Sequence, residues 1–331
     1  MVSGVTYHSC MTAVLPTPRA AGPAQAPDAE TVYRPSGPFD LAGTLALLGR
    51  GPYDPTTVWD LRGMWRTWRT PLGAATVRIH RRSADGGIAA AAWGPGAEWA
   101  IAAVPGLLGR DDDWSGLDVS GHRLLRDSLH RNPGLRLART GRMLEALIPA
   151  IIEQRVTSLE AYRSWARLLR WYGEPAPGPA PEGMRVVPTL EQWRGIPSWE
   201  WHRAGVDPRR ARAVQAVLAV APSLERAVEG APDLVAAETA LRTIPGVGVW
   251  TAAETLQRSH AHPDLVSVGD YHLAHQVGEA LTGERVDDEG MLELLEPWRG
   301  HRQRVVRLIL SSGFRFQRRG PRITLQDHRW H

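Results

Sequence analysis

The chain has 331 residues, 43% of them hydrophobic, with a formal net charge of +4 and a pI of about 9.7. That is about twice the usual domain length, so two domains are expected, and the basic balance favours a polyanionic partner. Cys10 is the only cysteine, which excludes a disulfide framework, a cysteine zinc site and an iron–sulfur cluster. No apolar run reaches the roughly 18 residues of a membrane span, and the N-terminus lacks a secretory signal, so the reading is soluble and cytoplasmic.

Residues 1–32 are rich in Ala, Pro and Gly without periodicity and read as a flexible tail. Residues 33–118 read as a small α+β domain with an antiparallel sheet. "FDLAGTLALLGR" (residues 39–50) has helical apolar spacing, and "TVWDLRGMWRTWRT", "LGAATVRIHRR", "GGIAAAAW" and "EWAIAAV" read as strands. "LGRDDDWSGLD" is a polar, turn-rich boundary. Residues 119–331 read as helices. One helical pattern runs through residues 139–173, from a Thr140-Gly141 start to a Gly173 stop, and a Pro/Gly loop follows at residues 174–188. Asp207-Pro208 is an N-cap followed by Pro at the first helical position. Further helices are expected at residues 231–244, 248–260, 270–283, 289–298 and 301–314. The basic end, with Arg315, Arg318, Arg319 and Arg322, reads as a nonspecific electrostatic strip.

Between two of those helices lies Ile244-Pro245-Gly246-Val247-Gly248. Pro245 fixes one backbone angle, and the glycines permit conformations that a Cβ obstructs. The next helix starts near Val249, so unpaired N–H groups point out of a tight turn. Such a turn suits a phosphate oxygen and binds DNA without reading its sequence. The plain alternative is a sharp turn between packed helices.

The longer string "LRTIPGVGVWTA" resembles the helix-hairpin-helix of the base-excision DNA glycosylase superfamily. "VSVGDYHL" resembles the segment that carries that superfamily's essential Asp, in the branch of the bacterial DNA-3-methyladenine glycosylase II family. Asp270 lies 22 residues after Gly248 (270 − 248). Taken alone it would be a helix cap; the resemblance implies a catalytic carboxylate. It also implies an N-terminal antiparallel α+β domain like the TATA-binding protein, ahead of an all-α helix-hairpin-helix bundle.

Further site residues follow from the same resemblance. Gln154 and Arg155 match the helix end that reaches into the DNA gap, although the inserted residue there is usually apolar. Gly246, Val247, Gly248 and Thr251 would hold the phosphate. The backbone carbonyls of Arg242, Ile244 and Val247 would hold a structural monovalent cation; no other cofactor is implied. Trp250 matches a pocket aromatic, whereas Glu254 and Leu310 stand where further aromatics are common. Glu254 could attract a cationic base, bond a base edge, or face solvent. His301 and Arg302 open a late helix with Arg304 and Arg307, and phosphate contact competes there with a plain solvated basic face.

All 39 basic residues are Arg. With no lysine side chain, strand cleavage through a lysine imine is not open to this protein. The expected protein is a monomeric, monofunctional glycosylase that frees alkylated, deaminated or etheno purines from duplex DNA. The other reading is a damage- or bent-DNA-binding module. His272 and His275 have metal-ligand spacing but no third partner. Trp65, Trp93, Trp99, Trp165 and Trp171 are expected in the core.

Overall fold

A computed structural model describes residues 25–82 and 86–315. The chain begins with β1 (Ala29–Tyr33), α1 (Leu41–Leu45), β2 (Thr57–Trp59), β3 (Gly63–Thr70), β4 (Gly73–Arg81) and β5 (Ile88–Trp93). The strands form one antiparallel sheet in the order β1-β5-β4-β3-β2. Met64 and Trp68, two pleats apart on β3, pack toward α1 and toward α2 (Ala97–Leu107). Trp65 turns to the opposite face, where it stacks on Trp93. The sheet starts four residues before residue 33 (33 − 29), so the end of the expected tail is a strand; residues 1–24 lie outside the described residues.

"EWAIAAV" is helix α2, not a strand. Ala97, Ala100, Val104 and Leu107 are its buried residues. That spacing of three and four, in an Ala-rich segment with Glu98 in the first turn, is helical.

The rest is mostly helical: α3 (Arg123–Arg131), α4 (Met143–Ile152), α5 (Ser158–Tyr172), α6 (Leu190–Arg194), α7 (Ser198–Ala204), α8 (Pro208–Glu229), α9 (Leu234–Arg242), α10 (Val249–Ser259), α11 (Leu273–Thr282), α12 (Asp288–Leu295) and α13 (Arg302–Ser311). The long helix expected over residues 139–173 is broken. Thr157 and Glu160 form a reciprocal capping box that starts α5 afresh, and residues 153–156 turn between α4 and α5. The Pro/Gly loop contains a short ladder, β6 (Glu174–Pro175) against β7 (Arg185–Val186), which lies over β3 through a Thr67 hydroxyl bond to the Arg185 carbonyl.

The helices bury two separate cores. One joins α4 to α10; the other joins α3 to α11, α12 and α13. Residues 261–272 cross from the first to the second, with Leu265 against one core and Val266 in the other. The polar boundary at residues 108–118 is tied inward, because Asp112 pairs with Arg304 at 2.5 Å with both side chains buried. Trp171 is 41% exposed rather than in the core, with Arg203 over its ring at 4.4 Å; it ends α5 on the outer side. Trp65, Trp93 and Trp165 are buried, and Trp99 is half-buried edge-on to Trp68. Among the described residues no helix is long and apolar enough to cross a membrane.

Candidate functional site: the hairpin and the crossing segment

The hairpin joins α9 to α10. Ile244 and Val247 pack against the first helical core, and the Val247 N–H donates to the Ile244 carbonyl at 3.0 Å, closing the turn. Gly246 has φ +90°, and a Cβ there would stand 2.6 Å from the Ala213 side chain. Gly248 is different. Its φ of −97° and ψ of −176° suit any residue, and a Cβ would meet nothing. The fold therefore requires glycine at 246 but not at 248, where only something approaching from outside would need the space. No side chain caps α10, so the first N–H groups of that 11-residue helix are left to such an approach.

Gln154 is brought to this turn from α4. Its amide donates to the Gly246 carbonyl and to the Thr251 hydroxyl, both at 2.8 Å. Arg155 beside it is exposed, with φ +55°, a conformation uncommon for a residue with a Cβ. Just before them, Glu153 is ion-paired with Arg50 from the sheet region. Burial pushes the Glu153 carboxyl up, with Arg50 opposing the shift.

Asp270 serves two elements at once. Oδ1 accepts the His272 and Leu273 N–H groups at 2.9 and 3.0 Å, which caps α11. Oδ2 faces the Trp250 indole N–H at 3.5 Å, the long limit of a hydrogen bond. The cap and the functional reading are thus compatible: one oxygen holds the residue while the other points to the hairpin helix. Tyr271 follows, 67% exposed, with its ring edge-on to His272. Sequence reasoning missed it, although its place beside Asp270 was a signal.

Four other candidates lie elsewhere. Glu254 neither faces solvent nor offers a free carboxylate: it pairs with Arg258 at 2.6 Å and accepts the Ser267 hydroxyl. Leu310 packs against the second helical core. At the start of α13, Arg302 makes a two-pronged ion pair with Asp264, which holds the guanidinium pKa above its ordinary range. His301 bonds Arg304 at 2.8 Å. Arg304 and Arg307 are buried, Arg307 donating to the Gly43 carbonyl, so there is no solvated basic face. The two predicted phosphate ligands of α13, His301 and Arg302, are thus half-buried and already bonded to Arg304 and Asp264. His275 bonds the Val286 carbonyl, and no cluster of three metal-ligating side chains occurs among the described residues. Arg318, Arg319 and Arg322 fall outside them.

No family model matches the chain. Over 149 residues, 45% of its length, it is 29% identical to the probable bifunctional transcriptional activator/DNA repair enzyme AlkA of Mycobacterium tuberculosis, in two strains. The match spans 29% of those relatives. In fold, the structure matches the 3-methyladenine DNA-glycosylase of Archaeoglobus fulgidus with a TM-score of 0.68 at 17% identity, over 86% of this chain and 99% of that one. It also matches the 8-oxoguanine glycosylase/lyase of Clostridium acetobutylicum, solved with double-stranded DNA, with a TM-score of 0.63 at 12% identity, over 82% and 91%. The fold is shared with these DNA glycosylases, and part of the sequence is similar to a relative named as a probable DNA repair enzyme.

Proposed function

We propose that the protein is a monofunctional DNA glycosylase that takes a damaged purine, an alkylated one foremost, out of duplex DNA and leaves an abasic site in base excision repair. The observation that carries this reading is the double placement of Asp270, capped into α11 through Oδ1 and turned toward the hairpin helix through Oδ2. The similarity to relatives named for repair and 3-methyladenine removal supports it.

Base release breaks the bond between C1′ and the purine nitrogen, with the electron pair leaving on the base. A purine alkylated at N3 or N7 is already cationic and departs neutral. Positive charge builds on the sugar, and the Asp270 carboxylate stabilises it electrostatically. Water then adds to C1′ and gives up a proton, so the reaction as written consumes only water. Trp250, whose indole N–H faces Asp270, and Tyr271, next to Asp270 in the chain, would border the flipped base, where an aromatic face attracts a cationic ring. The α10 N–H groups and Gly248 would hold a phosphate, and Arg155 would enter the gap, since the Gln154 amide is already committed to the hairpin. The Ile244 carbonyl keeps a second lone pair beyond its Val247 bond. Together with the Arg242 and Val247 carbonyls it would hold a monovalent cation, whose charge would add to the grip on the phosphate.

With no lysine in the chain, no side-chain amine can form the imine that strand cleavage requires. Single-turnover release of free base from methylated duplex DNA tests the proposal. Release of 3-methyladenine or 7-methylguanine supports it. Tight binding of methylated, hypoxanthine and etheno-adenine duplexes with no base freed would instead make the protein a damage-binding module.

A further inference from the structure

A line of polar contacts runs from the sheet region to the turn that carries Asp270. Arg258, buried near the end of α10, donates from Nε to the Leu47 carbonyl at 3.1 Å and from Nη1 to the Glu254 carboxylate at 2.6 Å. The other Glu254 oxygen accepts the Ser267 hydroxyl. Gln257 donates to that same hydroxyl at 3.1 Å and to the Leu265 carbonyl at 3.0 Å. The Ser267 carbonyl then accepts the Asp270 N–H at 3.1 Å, closing the turn that presents the carboxylate.

A buried ion pair is a weak source of stability, because desolvation consumes most of its attraction. What it supplies here is direction. Glu254 sits one helical turn after Trp250, and its two oxygens are pinned from opposite sides, so Ser267 has a single place to bond. Residues 261–272 cross between two separately packed cores; at their start the His262 N–H donates to the Leu256 carbonyl of α10 at 3.2 Å and Leu265 packs against the first core. The polar line continues that attachment at Ser267, next to the turn that carries Asp270.

We infer that Glu254, Arg258 and Ser267 are positioning residues that hold the Ser267–Asp270 turn, and with it the carboxylate, against the hairpin helix. Through the Leu47 carbonyl, the sheet region belongs to the same frame. The inference rests on the glycosylase reading, and it gives Glu254 a role that requires no contact with the base.

Ser267→Ala tests it, because the change removes one hydroxyl and leaves the Glu254–Arg258 pair in place. Displacing a catalytic group by a fraction of an ångström to an ångström costs about 10–100-fold in rate. The expected result is a loss of that size in single-turnover base release, with affinity for a duplex carrying a tetrahydrofuran abasic mimic held within about twofold. Ser267→Thr, which keeps the hydroxyl, is expected to restore most of the rate. In an Asp270→Asn background Ser267→Ala should cost nothing further, whereas a generally structural role would cost as much in either background. If Ser267→Ala does not fold, Glu254→Gln keeps the side-chain shape, weakens both bonds and is read in the same way. Variants that release base at the parent's rate, or lose binding in step with rate, overturn the positioning role alone. A parent that frees no base overturns the glycosylase reading, and this inference with it.

Discussion

The side-chain amide of Gln154 is bonded to the main-chain carbonyl of Gly246 across 92 residues of sequence. Its second bond, to the Thr251 hydroxyl, spans the hairpin to the first turn of α10. The turn after α4 and the hairpin therefore move as one piece. On the proposed function, a residue inserted from the former and a phosphate held by the latter would keep a fixed separation.

Gln154→Ala should free the two elements from each other. A part-buried neutral bond contributes about 1 kcal/mol, so the melting temperature should fall only slightly. Duplex affinity and base release should both drop. Gln154→Glu is the sharper variant: at nearly the same shape it sets a carboxylate against the Gly246 carbonyl, and it should bind DNA worse than Gln154→Ala. Fluorescence anisotropy on an abasic-mimic duplex reads both, and equal affinities for the two variants would count against the amide's role.

The two hairpin glycines should respond oppositely. Gly246→Ala asks for φ +90° and sets a Cβ 2.6 Å from Ala213, so it should destabilise by about 1–3 kcal/mol. Gly248→Ala meets no atom of the protein and should leave thermal melting unchanged or slightly raised. If a phosphate approaches there, the added methyl obstructs it, and DNA affinity falls with the fold intact. Unchanged affinity in Gly248→Ala would remove the phosphate from that position.

The hairpin and the Asp270 segment were legible in the sequence because their signals are local: two glycines at fixed spacing, then an Asp beside a helix start. Strands β3 and β4 were legible for the same reason, although β3 is buried along nearly its whole length instead of alternating. What escaped depends on partners distant in sequence. Whether Glu254 faces a base, solvent or Ser267 is decided by the crossing segment, and whether Arg302 is free is decided by Asp264. The break after α4 was a different kind of miss, since the Thr157–Glu160 capping box was visible and the apolar period on either side concealed it. Likewise the Ala-rich α2 was read as a strand although its apolar spacing is helical.

Asp270→Asn separates the cap from the chemistry. Asn is as good an N-cap as Asp, so its side-chain oxygen can still accept the His272 and Leu273 N–H groups. Melting should change by about 1 kcal/mol or less, while the lost charge removes stabilisation worth several kcal/mol in the transition state, or two to four orders of magnitude in rate. Single-turnover base release checks it beside calorimetry. A variant that kept the parent's rate would move the chemistry to another residue.

The absence of lysine predicts the form of the product. The abasic strand should stay intact until hot alkali breaks it, and borohydride added during turnover should trap no covalent protein–DNA complex, because no side-chain amine is present to form the imine. A trapped complex would point to the chain's α-amino group and end the monofunctional reading.

Acid should unfold the crossing segment before the rest. The His262 Nδ1 accepts the Asp264 and Leu265 N–H groups, which only an unprotonated nitrogen can do. Burial lowers its pKa from 6.5 to about 4, against the pull of Asp264. The unfolded chain therefore binds the proton first, and stability rises with pH between those values. The His262 contribution is complete above pH 6.5 and is lost as the pH falls toward 4; it is of order 2–3 kcal/mol. His260, whose pKa burial also lowers to about 4, adds in the same direction. Thermal melting from pH 7 down to about 4.5 should show a steep loss in the parent and a shallower one in His262→Asn, whose side-chain oxygen accepts without titrating. Equal slopes would place the acid sensitivity elsewhere. Because residues 262–265 lead directly into the Ser267–Asp270 turn, base release should fall in the same window, ahead of duplex binding, which the hairpin holds independently.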